Sequence, residues 1–157
     1  MANLLQVGAL AQDFELPDQD GNIFRLSDLK GKKHVVLYFY PKDNTRGCTA
    51  QACAFRDQYE DFKEQGAEVV GVSTDSASSH TGFIGKHNLP FRLVSDVKGK
   101  VRKLYGVPKF LGLITGRVTF VIDKQGVIRY VFNSMTKPLE HIQNTLTILK
   151  QLEEQQA

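Results

Sequence analysis

The sequence predicts an α/β fold in which helices flank a central mixed β-sheet. Two near-continuous apolar runs, 34–40 ("HVVLYFY") and 67–74 ("AEVVGVST"), are rich in β-branched and aromatic residues. Such runs are typical of strands that are buried on both faces. Near the C-terminus, "RVTFVID" and "GVIRYVF" flank a tight turn at 124–126, which predicts a hairpin. Strands that alternate with helices, with hairpins at the sheet edges, indicate a layered α/β architecture.

The elements around the first buried strand follow from turn and periodicity signals. Ahead of it, "FELPDQDGNIFRLSDL" predicts an N-terminal β-hairpin that turns at Asp20, Gly21 and Asn22. After it, residues 47–65 place apolar side chains three and four positions apart, which predicts a helix with one buried face. Gly66 is expected to end this helix, because glycine is common just beyond helix C-termini.

The second half of the chain continues the alternation of strand and helix. Residues 76–87 predict a helix that two glycines weaken. "FRLVSD" predicts a short strand, and a helix that Asp96 can cap then runs to Tyr105. Residues 137–152 predict an amphipathic C-terminal helix, because leucine and isoleucine recur along one seam.

Length and charge limit the classes of function. The 157 residues have the length of one domain, and we expect a single domain over residues 1–157. The formal net charge of +3 is too small to indicate a nucleic-acid partner. The longest apolar run, 35–40, is too short to cross a bilayer, so we expect no membrane insertion. The N-terminus lacks the basic start of a signal peptide. We therefore expect a cytoplasmic protein, or an organellar one if a transit peptide has been removed.

The main basic run is "KGKVRK", residues 98–103. Val101, Leu104 and Tyr105 can face the core while the charges around them face water. We expect a solvated helix face here, and a phosphate-binding patch is the alternative.

Two cysteines, Cys48 and Cys53, are the only ones in the chain. Cys48 stands where a buried strand ends and a helix begins. Free backbone N–H groups and the helix dipole favour an anion there, so the thiol ionises more readily and becomes a nucleophile. Five residues along a helix separate the two Cα atoms by roughly 8.7 Å. A disulfide needs about 7 Å or less, so either the pair never bonds or the first turns of the helix unwind.

On the residues alone, both thiols could instead be structural. Cys48 shares an apolar stripe with Ala52, and free cysteine is among the most buried residue types. Metal binding is less well supported, because the cysteine spacing and four scattered histidines match no zinc pattern. A thioredoxin-type dithiol would have two intervening residues, whereas this pair has four.

The stretch "YFYPKDNTRGCTAQACAFRDQYEDF" resembles the peroxiredoxins, in particular the bacterioferritin-comigratory-protein, or peroxiredoxin Q, subfamily. The family signature is Pro, three residues, Thr, two residues and Cys, which Pro41, Thr45 and Cys48 match. Cys53 stands five residues later, at the subfamily's resolving cysteine, and "GRVTFVID" supplies the family's arginine as Arg117. The likeness covers nearly the whole chain. It implies the thioredoxin-like (peroxiredoxin) fold.

The resemblance also implies a thiol-dependent peroxidase that reduces hydrogen peroxide and organic hydroperoxides. Cys48 would attack the peroxide and become a sulfenic acid, and Cys53 would resolve it as an intramolecular disulfide. Thr45 and Arg117 would donate hydrogen bonds to the reacting oxygens, and Pro41 would shield the sulfur. Thioredoxin or a similar dithiol would reduce the disulfide. We expect a monomer, because the resolving thiol is in the same chain, and no bound cofactor.

Several of these residues could also have purely structural roles. Thr45 can cap a helix or close a turn, Arg117 can be a surface strand residue, and Pro41 can simply end a strand. Arg46 replaces the proline that is common in this subfamily. Its positive charge could favour the thiolate of Cys48, but we expect the side chain to point into water. The sequence leaves open whether Asp43 points inward, where it would oppose ionisation of the thiol.

Two further functional classes compete with the peroxidase. A peroxide-sensing redox switch or a holdase could use the same fold and the same cysteines without turnover. A thioredoxin-like scaffold with inert, buried thiols is the third possibility. The sequence does not identify the preferred peroxide or the physiological reductant.

Overall fold

The central sheet of the molecule has five strands. The structure is a computed structural model, and it describes residues 3–110, 112 and 114–156. In chain order the elements are β1 (Glu15–Pro17), β2 (Ile23–Arg25), a 3₁₀ helix (Leu26–Leu29), β3 (His34–Phe39), α1 (Arg46–Asp57), α2 (Tyr59–Glu64), β4 (Ala67–Ser73), α3 (Ala77–His87), β5 (Arg92–Ser95), α4 (Lys100–Leu104), β6 (Lys109–Phe110), β7 (Ile114–Thr115), β8 (Val118–Ile122), β9 (Ile128–Asn133) and α5 (Glu140–Gln156).

Strand β3 lies at the centre of this sheet, whose order is β5-β4-β3-β8-β9. Strands β3, β4 and β5 run parallel, whereas β8 and β9 pair antiparallel, so the sheet is mixed as the sequence predicts. All six residues of β3 are buried. A strand with parallel and antiparallel neighbours and layers on both faces has no exposed side, which is why its sequence is apolar throughout.

Two apolar cores cover the two faces of the sheet. Helices α1, α2 and α5 pack on the sheet in the first, in which Phe55 of α1 stacks on Tyr38 of β3 with ring centroids 4.6 Å apart. The N-terminal segment and α4 supply much of the second, in which Tyr105 packs against Phe39 and Phe120. Odd and even residues of β3 therefore point into different cores, as the period of two in a strand requires.

Most predicted elements are confirmed, with shifts at their ends. The N-terminal hairpin pairs β1 with β2 around the expected turn, and β8 and β9 form the C-terminal hairpin. Asp96 accepts hydrogen bonds from the N–H groups of Val101 and Arg102, at 3.1 and 2.8 Å, and so caps α4 as predicted. The C-terminal helix begins at Glu140 rather than at 137, because a residue that precedes Pro138 disfavours the helical conformation.

Two features of the fold differ from the predictions. The helix expected over 47–65 is divided into α1 and α2 at Gln58, although Phe55 and Phe62 still share one buried face with ring centroids 5.6 Å apart. The two-residue strands β6 and β7 form a small antiparallel pair that the sequence analysis missed. Strands this short carry no detectable alternation of polar and apolar residues.

The carboxyl ends of β3, β4 and β5 meet at one edge of the sheet. The segments that leave this edge are 40–45, 74–76 and 96–99. In open sheets with parallel strands, ligands and catalytic groups collect at this edge. Among the residues that the structure describes, no helix has both the length and the apolar character of a membrane span.

We predict that Gly71→Ala destabilises the protein by about 1–3 kcal/mol, because it overpacks the first core. A Cβ at Gly71 would lie 2.7 Å from Cδ2 of Leu93 and 2.9 Å from the ring of Tyr38. The matched control is Gly82→Ala in α3, where a Cβ would meet nothing within 4 Å. We expect that change to stabilise by up to about 1 kcal/mol, through helix propensity. Urea denaturation measures both, and a Gly71→Ala protein as stable as wild type would contradict the packing.

Candidate active site

Cys48 lies in the first turn of α1, directly after the loop that leaves β3. The side chain is buried, with 1% exposure, and the thiol is free. Thr45, in extended conformation, is the residue that precedes the helix. The backbone N–H groups of this turn have no partner within the helix, so the positive end of the helix dipole faces the sulfur. A buried sulfur in this position is better suited to negative charge than a thiol elsewhere in the core.

Arg117 brings a buried cation to the same sulfur. Its guanidinium Nη2 lies 3.6 Å from Sγ of Cys48, and only 4% of the residue is exposed. Nη1 donates to Oε1 of Gln51 at 2.6 Å, and Nε donates to the carbonyl of Met135 at 3.3 Å. Within the described part of the chain, no carboxylate comes within 4.0 Å of Arg117. A buried cation without a carboxylate is costly, so the two oxygen acceptors and the sulfur are the groups that offset its burial.

Gly47 allows the guanidinium to reach the sulfur. A Cβ on this residue would lie 2.9 Å from Nη2 of Arg117, which is closer than Cβ atoms approach other heavy atoms in proteins. Any other side chain at Gly47 would therefore compete with the arginine for the space beside Cys48.

Gln51 is a site residue that the sequence analysis missed. It is buried on α1 one turn after Cys48, and its side-chain oxygen holds Arg117. Its amide nitrogen is buried and has no hydrogen-bond partner among the described residues. The spacing of three from Cys48 was the available signal, because residues i and i+3 lie on the same face of a helix.

Thr45 and Pro41 are near the site, but in different environments from Arg117. Thr45 is exposed, and its hydroxyl donates to the carbonyl of Lys42 at 2.8 Å, so this hydrogen is not directed at the sulfur. Nor does its side chain cap the helix. Pro41 is half-buried directly beyond β3. Arg46 is exposed, as expected.

Asp43 points inward, which the sequence left open. Its carboxylate accepts hydrogen bonds from the hydroxyls of Tyr40 and Ser79, at 2.6 and 2.8 Å, and Nδ1 of His80 lies 2.7 Å away. Burial alone raises the pKa of Asp43, but the hydrogen bonds from His80 and Tyr40, with the charge of His80, outweigh it and lower that pKa. The negative charge of Asp43 is therefore neutralised locally and does not face Cys48 unpaired.

His80 and Asp75 extend this network and anchor the loop after β3. Nε2 of His80 lies 3.2 Å from the carbonyl of Val94, so both ring nitrogens face oxygen atoms. Oδ2 of Asp75 accepts from the backbone N–H of Asp43 at 2.8 Å and from the hydroxyl of Ser73 at 2.7 Å. Asp43, Asp75 and His80 could offer three ligand atoms within 4.8 Å, but these atoms already serve the network.

His141 lies close to Arg117 from the α5 side. Its Nε2 is 2.9 Å from the carbonyl of Ser134, so this nitrogen donates, and Nδ1 accepts from the hydroxyl of Thr119 at 2.7 Å. Burial lowers the pKa of His141 from 6.5 to about 4, the hydrogen bond to Ser134 acts against this, and the charge of Arg117 adds to it. The ring is therefore neutral at physiological pH and adds no second cation beside Arg117.

Cys53 is half-buried and free, on the same helix as Cys48. Helix α1 is continuous over Arg46–Asp57. The Cα atoms of the two cysteines are therefore about 8.7 Å apart, as helix geometry requires for a spacing of five residues. The two thiols cannot bond in this conformation. The geometry is thus compatible with either alternative: separate thiols, or a disulfide formed after the start of α1 unwinds.

A buried thiol at a helix start, held against a buried arginine at the edge of a mixed sheet, defines a thiol-based redox enzyme. Residues 7–131 match the model of the AhpC/TSA family. The chloroplastic peroxiredoxin Q of Triticum aestivum is 53% identical over 146 residues, which cover 92% of this chain and 67% of the relative. That of Oryza sativa subsp. japonica is 54% identical with the same coverage.

Solved structures are similar over nearly the whole chain. Peroxidoxin BcpB from Mycobacterium tuberculosis has a TM-score of 0.88 and 38% identity, over 94% of this chain and 98% of that one. The bacterioferritin comigratory protein of Xanthomonas campestris has a TM-score of 0.82 and 29% identity, over 96% and 99%. This chain therefore belongs to the AhpC/TSA family and has the thioredoxin-like fold of the peroxiredoxins. It is a thiol-dependent peroxidase, whose substrate is a peroxide and whose electrons come from a thiol reductant.

We predict that His141 destabilises the fold in acid. The folded state keeps this ring neutral down to about pH 4, whereas the unfolded chain protonates it near 6.5. Between these values the unfolded state binds more protons, so the free energy of unfolding falls as pH decreases, by about 3 kcal/mol in total. Urea denaturation across this range should show a steeper loss for wild type than for His141→Gln. His87→Gln is the control, and parallel losses in wild type and His141→Gln would contradict the assignment.

Proposed function

We propose that Cys48 is the residue that attacks the peroxide and that Cys53 resolves it. The observation that carries this assignment is the contact between Arg117 and the sulfur of Cys48, in a pocket where no described carboxylate competes for the cation. Among the described residues, no guanidinium donates a hydrogen bond to Cys53, which lies farther along α1. Of the two sulfurs, Cys48 is therefore the one that has a buried donor aimed at it before substrate arrives.

In the first step the thiolate of Cys48 attacks one peroxide oxygen and the O–O bond breaks. The leaving oxygen takes a proton and departs as water or an alcohol, and Cys48 is left as a sulfenic acid. Negative charge spreads over both oxygens in the transition state, so donors fixed in advance lower the barrier. Arg117 is the principal donor, because its guanidinium is held by Gln51 and Met135 before substrate arrives.

Thr45 and Pro41 take supporting roles in this proposal. Thr45 stands at the start of α1, and its hydroxyl must rotate away from Lys42 before it can donate to a bound peroxide. Pro41 has no N–H group and a rigid ring, so it can limit the access of water to the sulfur. The backbone N–H groups of Gly47 and Cys48 are further donors at the open end of the helix.

In the second step the first turns of α1 unwind and the thiol of Cys53 attacks the sulfenic sulfur. A Cys48–Cys53 disulfide forms and water leaves. An external dithiol then reduces this disulfide by exchange and is itself oxidised, and we propose thioredoxin or a related protein for this role. Because both cysteines belong to one chain, no partner subunit is needed, which supports a monomer. A transient disulfide needs a reducing compartment, either the cytoplasm or a chloroplast like that named for the plant relatives.

Hydrogen peroxide and organic hydroperoxides are both proposed as substrates. The structure of the bacterioferritin comigratory protein of Xanthomonas campestris is described in connection with alkyl peroxide reduction by that protein. At 29% identity it supports, for this chain, a substrate class that includes organic hydroperoxides.

We predict that intact mass measured without reductant separates the roles of the two cysteines. After one equivalent of hydrogen peroxide, the wild type should lose two hydrogens as its disulfide forms. Cys53→Ser should instead gain one oxygen, because its sulfenic acid at Cys48 cannot be resolved. Cys48→Ser is the matched control and should not change.

Two outcomes would reject this assignment. Oxygen gained by Cys48→Ser would make Cys53 the attacking residue. A wild type that gains oxygen without losing hydrogens would mean that the disulfide is not part of the cycle.

A further inference from the structure

A basic groove of about 440 Å³ lies at the catalytic edge of the sheet, where the segments after β3, β4 and β5 meet α4 and the small strands β6 and β7. Five basic side chains and one acidic side chain line it. These are Lys42, Lys98, Arg102, Lys103, Lys109 and Asp75. The whole chain has 20 basic and 17 acidic residues, an excess of three positive charges, whereas the groove alone has an excess of four. The net positive charge of the molecule is therefore concentrated here.

The charges of the groove are not paired within the described part of the molecule. No described carboxylate lies within 4.0 Å of any of the five cations. Asp75 is already occupied by the hydrogen bonds from Asp43 and Ser73. Arg102 is anchored, because Nη1 donates to the carbonyl of Val107 at 2.7 Å, whereas the four lysines are exposed. The groove therefore presents a positive field to the solvent.

Apolar side chains accompany these cations. Val97 is 64% exposed and Ile114 is 45% exposed, and both line the groove together with Pro41. A solvated helix face, which the basic run predicts, does not explain exposed valine and isoleucine between the charges. Exposed apolar residues surrounded by charge are typical of surfaces that bind another protein.

The groove adjoins the catalytic loop. Pro41 and Lys42 belong to both, and the carbonyl of Lys42 accepts the hydroxyl hydrogen of Thr45, directly before α1. Thr115, which also lines the groove, is two residues before Arg117. A bound protein covers about 800 Å² on each partner, so one seated on the groove would also cover the start of α1.

We propose that this groove is the docking surface for an acidic face of the dithiol protein that reduces the Cys48–Cys53 disulfide. The inference rests on the cycle proposed above. A thiolate of the partner attacks one sulfur of the disulfide, a mixed disulfide forms, and the partner's second thiol releases it, so that two electrons pass to the cysteine pair. The unpaired cations accelerate the encounter with an acidic surface and disfavour basic competitors.

The test uses charge reversal away from the catalytic residues. Lys98→Glu combined with Lys103→Glu changes the groove, and Lys30→Glu combined with Lys32→Glu is the control. The control lysines are exposed in the turn before β3, at the opposite end of the sheet, and carry the same change in charge. Peroxide consumption is measured with a thioredoxin of net negative charge and, separately, with dithiothreitol, and acid quench followed by intact mass measures oxidation by hydrogen peroxide alone.

We expect the KM for thioredoxin to rise at least about tenfold in the groove variant at low salt, and the difference to shrink as salt is added. Turnover with dithiothreitol and oxidation by hydrogen peroxide should match the wild type in both variants. The control variant should match the wild type with thioredoxin as well.

Three outcomes would overturn the docking surface. The KM for thioredoxin could be unchanged in the groove variant, or the wild type could accept electrons from dithiothreitol but not from the acidic thioredoxin. The groove variant could also be slower only when a carboxylate-bearing hydroperoxide replaces hydrogen peroxide in the dithiothreitol assay, which would make the groove a binding site for anionic substrate. Failure of the cycle itself is distinguishable, because the wild type would then show no turnover even with dithiothreitol.

Discussion

The other features of this site depend on one buried positive charge, the guanidinium of Arg117. Arg117 is almost fully enclosed and has no carboxylate partner in the described structure, so the neutral acceptors around it and the sulfur of Cys48 must offset the cost of its burial. The neighbouring features serve this pair. Gln51 and the carbonyl of Met135 fix the guanidinium, Gly47 leaves room for it, and the start of α1 directs N–H groups to the same place. In the proposed cycle these groups together prepare the sulfur of Cys48 to attack the peroxide.

In the proposed cycle the first turns of α1 unwind while the loop after β3 and Arg117 stay in place. The hydrogen bonds of the site are more numerous in the parts that stay in place. Asp43 holds the loop after β3. Its carboxylate accepts hydrogen bonds from Tyr40 and from side chains of α3, and its backbone N–H donates to Asp75. The guanidinium of Arg117 is held from the segment after β9 as well as from α1. The first turn of α1 has fewer anchors, because Arg46 is exposed and Thr45 makes no side-chain cap. Losing a helix turn at an end of this kind costs little compared with disturbing the loop.

The sequence predicted the sheet, the helix start and the pair of Cys48 and Arg117 for one reason: each depends on local pattern or on a recognisable motif. The sequence did not identify Gln51, because glutamine is usually exposed and nothing near it in the sequence indicates that it binds Arg117. The direction of Asp43 depends on His80, which is 37 residues away and reaches the loop only through the packing of α3. The break at Gln58 and the short strands β6 and β7 arise from tertiary contacts that periodicity does not encode.

The central claim is that the contact of Arg117 with Cys48 prepares this sulfur to attack a peroxide, and the rate at which hydrogen peroxide oxidises the reduced protein tests it most directly. Acid quench followed by intact mass measures this rate, and Cys48→Ser is the blank. We predict a slower reaction in Gly47→Ala, where the guanidinium is displaced, and a rate lower by at least about a hundredfold in Arg117→Gln. An Arg117→Gln protein that is folded by circular dichroism and is oxidised as fast as the wild type would contradict the claim.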